Sequence, residues 1–154
     1  MERYCICAGD ALIPVYAFVG VGHYTPALIC LIPVAALLGI ALNLANSLPD
    51  IAEDAANKAR TLAVVLGEQR TRLACPLLIL ATEVLVIIFA VMNVVNMRAW
   101  IIWPTLGLVF MLVVWLFGWS YRGLRPLNYR HYFLLVVCTC LLLASGWLTS
   151  IFLV

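Results

Sequence analysis

Between Arg98 and Arg122 no residue is charged, and beyond Arg130 the chain runs to Val154 without another Asp, Glu, Lys or Arg. A helix drawn through either stretch has no polar face to turn toward water, so its natural surroundings are hydrocarbon. Inside a bilayer every backbone N–H and C=O needs an internal partner, which makes such segments helices rather than open strands. The fold class read from the sequence is therefore all-α, a polytopic bundle of transmembrane helices. Composition agrees: of 154 residues, 66% are hydrophobic and 10% charged, where an average soluble domain has roughly 25% charged.

Four segments are long enough to cross a core of about 30 Å, which takes roughly 20 helical residues. They are 25–48, 74–97, 100–119 and 132–153. A fifth, 4–22, contains Asp10, Pro14 and three glycines and reads as a broken or shortened helix. The opening MERYCICAGD has a minimal charged region and an interrupted apolar run, so no cleaved signal peptide is expected. Trp100, Trp103, Trp119 and Tyr121 bracket one span in the manner of interfacial aromatics.

Basic residues set the expected topology. The connection between the first two firm spans carries Lys58, Arg60, Arg70 and Arg72; the next carries only Arg98; the third carries Arg122, Arg125 and Arg130. Under the positive-inside rule the first and third connections are expected in the cytoplasm and Arg98 on the opposite side, with the C-terminus outside. With no repeat or linker, one transmembrane domain over 1–154 is the simplest division. A net charge of +2 gives no support for nucleic acid binding. Six cysteines (Cys5, Cys7, Cys30, Cys75, Cys138, Cys140) lack a C-x-x-C spacing and read as small apolar packing residues, while His23 and His131 stand alone near span boundaries. Glu83, near the middle of 74–97, is expected to face the bundle interior.

Chemistry concentrates where the first firm span ends. Asn43, Asn46, Asp50, Asp54 and Asn57 recur every three or four residues and so share one helical face, with Glu53 beside Asp54. Asn43 and Asn46 carry that face up into the apolar span, where a side-chain amide is costly unless it lines a cavity or finds a partner. Three carboxylates, Asp50, Glu53 and Asp54, offer hard oxygen donors suited to Mg²⁺, which keeps some waters and shares its remaining positions with substrate phosphate. Lys58, Arg60 and Thr61 follow within two helical turns as candidate phosphate contacts, and Asn46 joins them as a substrate-binding candidate. No residue presents itself as a general base.

The string Asn46-x-x-x-Asp50-x-x-Glu53-Asp54, followed by Arg60-Thr61-Leu62-Ala63-Val64-Val65-Leu66-Gly67, resembles the second aspartate-rich motif and downstream R-T-L-x-V-x-L-G stretch of the UbiA superfamily of membrane prenyltransferases. The resemblance implies a ring of transmembrane helices around a cavity open to the membrane, with two aspartate-rich motifs on the cytoplasmic side binding Mg²⁺-diphosphate. It places Asp50 and Asp54 as the acids of the second motif, Glu53 as an auxiliary, and a prenyl diphosphate as substrate. The first motif of that family, N-D-x-x-D-x-x-x-D, does not occur in this chain. The expectation is thus a fragment or half-enzyme supplying one half-site, completed by a second chain that bears the first motif. The alternative is a noncatalytic membrane subunit or truncated paralogue. A CDP-alcohol phosphotransferase is excluded, because Ala52 and Ala55 stand where its motif needs acids. A transporter reading would rest on Glu83 and Asp10 alone.

Overall fold

A computed structural model describes residues 26–59, 61–94, 98–121 and 129–152. The expected segment 4–22, with Cys5, Cys7 and Asp10, lies outside the described residues, as do His23, Arg60, Arg122 and Arg125. The elements are α1 (Pro26–Ser47), α2 (Ile51–Ala56), α3 (Leu62–Leu66), α4 (Glu68–Val91), α5 (Ala99–Tyr121) and α6 (Tyr129–Phe152), with no strand among the described residues. Four of these helices contain stretches long and apolar enough to span a membrane: Cys30–Ser47, Glu68–Val91, Ala99–Tyr121 and Tyr129–Ile151. The all-α expectation holds, and these helices are those of an integral membrane protein.

Helix α1 packs against α4 and α6, and α5 packs against the same two, while α4 and α6 also touch across the centre. The shared core draws Val34, Ala41 and Ala45 from α1, Cys75, Ile79 and Val86 from α4, Val109, Val113 and Leu116 from α5, and Val136, Leu143 and Trp147 from α6. Spacings of three, four and seven place each set along one stripe of its helix. Lipid tails are as apolar as these side chains, so close packing and interhelical hydrogen bonds have to hold the helices together. Gly146 of α6 shows how close: a Cβ built there would fall 2.3 Å from Thr105 Cγ2 of α5. At the same end, the Arg98 N–H donates to the Ser150 carbonyl (3.0 Å), joining the start of α5 to the last turns of α6.

Hydropathy misplaces α4. The helix begins at Glu68 and ends at Val91 rather than covering 74–97. Its polar first turns are helical because Glu68 and Arg72 pair across one turn, and because Gly67, not the charge pattern, breaks the chain. Glu83 consequently sits past the midpoint of α4, toward the Arg98 end. Of the cysteines described, Cys30, Cys75 and Cys140 are buried and Cys138 exposed, all with free thiols. His131 is exposed at the start of α6.

Candidate functional site

The polar face of α1 turns away from the bundle: Asn43, Asn46 and Asp50 are exposed, whereas Ala41, Leu44, Ala45 and Leu48 are buried against the other helices. The Ser47 hydroxyl donates to the Asn43 carbonyl (2.9 Å). The Asp50 N–H then returns to the Ser47 carbonyl (3.2 Å), a turn that ends α1 and starts α2. Asp50 is the N-cap of α2 by position, but its carboxylate makes no capping bond. Glu53 and Asp54 occupy the first turn of α2, where the helix dipole favours acids.

Helix α2 closes on Lys58. The Lys58 N–H donates to the Ala55 carbonyl (3.1 Å) and the Ala59 N–H to the Asp54 carbonyl (2.8 Å), the paired bonds of a Schellman end, with Lys58 at φ 53 in the position where glycine is the common choice. Thr61 then opens α3. Its hydroxyl oxygen accepts from the Val64 N–H (3.3 Å) while the hydroxyl donates to Asp54 Oδ2 (3.4 Å). One side chain thereby caps α3 and ties it to the acidic helix.

Gly67 joins α3 to α4 at φ 76, ψ 163, a conformation essentially confined to glycine. This is the physical content of the glycine that closes the Arg60-to-Gly67 string. Directly after it, the buried Thr71 hydroxyl reaches both the Gly67 carbonyl (2.8 Å) and the Ala63 carbonyl (3.3 Å), fastening α3 against the first turn of α4.

A second group of polar residues fixes this end of the bundle. Pro76 lies inside α4 and has no N–H, so the carbonyl of Arg72, four residues earlier, loses its helical partner. Two hydroxyls from other helices replace it: Tyr132 of α6 at 2.7 Å and Ser120 of α5 at 3.1 Å. The Arg72 guanidinium pairs with Glu68 and lies over the Tyr129 ring, 5.8 Å from its centroid, and the Tyr129 hydroxyl donates to the same Glu68 carboxylate. Thus α4, α5 and α6 are bolted together at the end from which α2 and α3 project.

Of the residues singled out from sequence, the structure joins Asp54 to Thr61. Asp50, Glu53 and Lys58 are exposed nearby in sequence, Asn46 lies one turn before Asp50 on α1, and Arg60 is outside the described residues. The three carboxylates do not converge: among the described residues no group of three or more His, Cys, Asp or Glu side chains is gathered to hold a metal ion. Thr71, Arg72, Ser120 and Tyr132 were missed from sequence. Pro76 was the signal available, because a proline within an apolar helix obliges some other donor to serve the carbonyl it frees.

Searches of curated proteins and of solved structures found no significant match. The sequence does match the family model described as the UbiA prenyltransferase family, over residues 3–137, a stretch holding the acidic turn, the Gly67 break and the Arg72 bolt. The chain belongs to the UbiA prenyltransferase family.

Proposed function

We propose that this chain supplies one Mg²⁺-diphosphate half-site for the transfer of a prenyl group from a prenyl diphosphate to an acceptor. Family membership supports a prenyltransferase-type function in a membrane. The observation that carries the finer reading is the acidic turn at the foot of α1: Asp50 spends no oxygen on capping, Glu53 is exposed, and Asp54 has one oxygen held by Thr61. Mg²⁺ is commonly held by one or two carboxylates with substrate phosphate and water completing the shell, so carboxylates that do not form a cage by themselves still fit it.

In this reading Asp50 and Asp54 would hold the ion, with Glu53 as an auxiliary. Mg²⁺, when bound, neutralises the diphosphate leaving group. Lys58, Arg60 and Thr61 would contact the phosphates, and Asn46, in the last turn of α1, would meet the substrate where the prenyl chain joins its headgroup. Thr61 keeps Asp54 turned toward the turn by its hydrogen bond, and the Gly67 and Thr71 contacts hold α3 in place beside it. The side chains of this turn bind and orient, and the work on the reacting bond is electrostatic.

The sequence contains no second aspartate-rich segment: Asp10 is solitary, and Glu2, Glu68 and Glu83 are scattered. We therefore assign the other half-site to a segment carrying the first motif that lies outside these 154 residues, for example on a second chain. In this reading the acidic turn is cytoplasmic, a side supported by the basic residues of the first and third connections through the positive-inside rule. The chain acts as a single membrane domain.

The test is linkage. Chain reconstituted in lipid should bind inorganic diphosphate weakly without Mg²⁺ and more tightly with it, since each ligand completes the other's coordination. Asp50→Asn and Asp54→Asn should each abolish most of that coupling. Undiminished Mg²⁺-dependent affinity in both variants would reduce the acidic turn to a solvated loop.

A further inference from the structure

The two short helices at the foot of the bundle expose different chemistry. Helix α2 presents Ala52, Glu53, Ala55 and Ala56 to its surroundings, small or charged residues that suit water, while Ile51 packs on the core. Helix α3 does the reverse: Ala63 is buried and Leu66 packs on the core, but Leu62 is 55% and Val65 71% exposed. At 3.6 residues per turn both lie on the side of α3 away from Ala63. Among the described residues they are the large apolar side chains left exposed at this end outside the four long helices, and neither takes part in the Thr61 and Gly67 contacts that position α3.

Their depth follows from α4. Its 24 residues make a helix roughly 36 Å long, a few Å more than a hydrocarbon core of about 30 Å, and its first turns carry Glu68, Arg70 and Arg72. That charged end therefore stands in the headgroup layer, roughly 5–7 Å thick on each face. Helix α3 lies beside this end and not beyond it. One hydroxyl, that of Thr71, reaches both the Gly67 carbonyl (2.8 Å) and the Ala63 carbonyl (3.3 Å), which brings the first turn of α3 to the level at which α4 begins. With Gly67 joining its other end directly to Glu68, α3 is held at headgroup depth along its length.

We propose that α3 is an interfacial anchor, with Leu62 and Val65 set into the headgroup and acyl boundary of the leaflet beside the acidic turn. The lipid that surrounds α4 continues over this edge of α3, and burying two aliphatic side chains in that boundary removes them from water. Lys58 and Arg70, exposed on either side of α3 in the chain, suit the level of the lipid phosphates. Thr61 caps α3 and its hydroxyl also donates to Asp54, so the anchor fixes the height of the acidic turn relative to those phosphates. The occupant of this face is lipid, and the inference rests on the fold alone, whatever the acidic turn binds.

The experiment uses the full chain in lipid nanodiscs with methyl-labelled leucine and valine. The two signals are assigned by their loss in Leu62→Ile and Val65→Ile, changes that keep an aliphatic side chain at an exposed position. Relaxation agents then report the surroundings: a lipid with a nitroxide on its acyl chain near the headgroup, a lipid with the nitroxide at the chain end, and a water-soluble gadolinium chelate. Exposed Leu108, near the middle of α5, and buried Val109 serve as references. The Leu62 and Val65 methyls are expected to lose most of their intensity to the shallow nitroxide, less to the deep one and little to the chelate, whereas Leu108 should lose more to the deep nitroxide than to the shallow. Loss chiefly to the chelate would put this face in water, and loss to no agent would put it under protein; either result overturns the proposal. Neither Mg²⁺ nor diphosphate is present, so the outcome is separate from that of the linkage test on the acidic turn.

Discussion

Removing the hydroxyls that serve the Arg72 carbonyl should destabilise the bundle, and restoring that carbonyl's own helical partner should cancel the effect. Tyr132 is fully buried, so Tyr132→Phe keeps the ring and deletes only the donor at 2.7 Å. Ser120 can compensate in part, because its single proton is shared between the Arg72 carbonyl (3.1 Å) and the Leu116 carbonyl (2.8 Å), and the latter keeps its helical N–H. The single change should therefore cost about 0.6 kcal/mol, the usual scale for one interhelical bond in a membrane. Tyr132→Phe with Ser120→Ala leaves a buried carbonyl unserved and should cost about 1–3 kcal/mol. In a Pro76→Ala background residue 76 regains an N–H that can donate to Arg72, and the same pair of changes should cost at least about 1 kcal/mol less, well outside the additivity error of about 0.3–0.5 kcal/mol. Reversible unfolding in lipid or mixed micelles, measured across the cycle, reads this directly. Equal costs in the two backgrounds would refute the assignment of Tyr132 and Ser120 as substitutes for the bond that proline removes.

Gly67→Ala should lower stability by about 1–3 kcal/mol, because φ 76 with ψ 163 admits no Cβ without strain; a variant that melts with the wild type would show that the α3–α4 elbow is elsewhere. Cysteines introduced at Gln69 and Arg98 should label from opposite sides of sealed vesicles, as the basic-residue count requires. Equal labelling of both from one side would refute the topology.

The spans were legible in the sequence because nothing but hydrocarbon suits a run such as Ala99–Tyr121. Their ends were less so. Hydropathy reads Glu68, Arg70 and Arg72 as loop, although Arg72 is buried with its charge paired to Glu68 and its face covered by Tyr129. The acidic turn was visible as a polar stripe descending α1, where Asn43 and Asn46 are exposed. The single helical face expected from Asn43 to Asn57 is broken, however: α1 ends at Ser47, Asp50 lies in the turn and Asp54 belongs to the separate helix α2. What spacing could not convey is the tertiary reach of hydroxyls. Thr61 linking to Asp54, Thr71 to Ala63, and Tyr132 to a carbonyl 60 positions away all depend on where two backbones meet.

The half-site account stands or falls on one assay: chain in lipid with Mg²⁺, a labelled prenyl diphosphate and a panel of aromatic and sugar phosphate acceptors, with and without a membrane chain bearing the first aspartate-rich motif. A prenyl diphosphate carries about three negative charges, and its ionisation in a low-dielectric cavity requires opposing charge from more than one direction. Asp50, Glu53 and Asp54 can organise that charge on one side only. The account predicts no transfer by this chain alone, and transfer on adding the second chain that is lost with Asp50→Asn or Asp54→Asn. Robust turnover without a partner, or turnover with one that is indifferent to both substitutions, would contradict it.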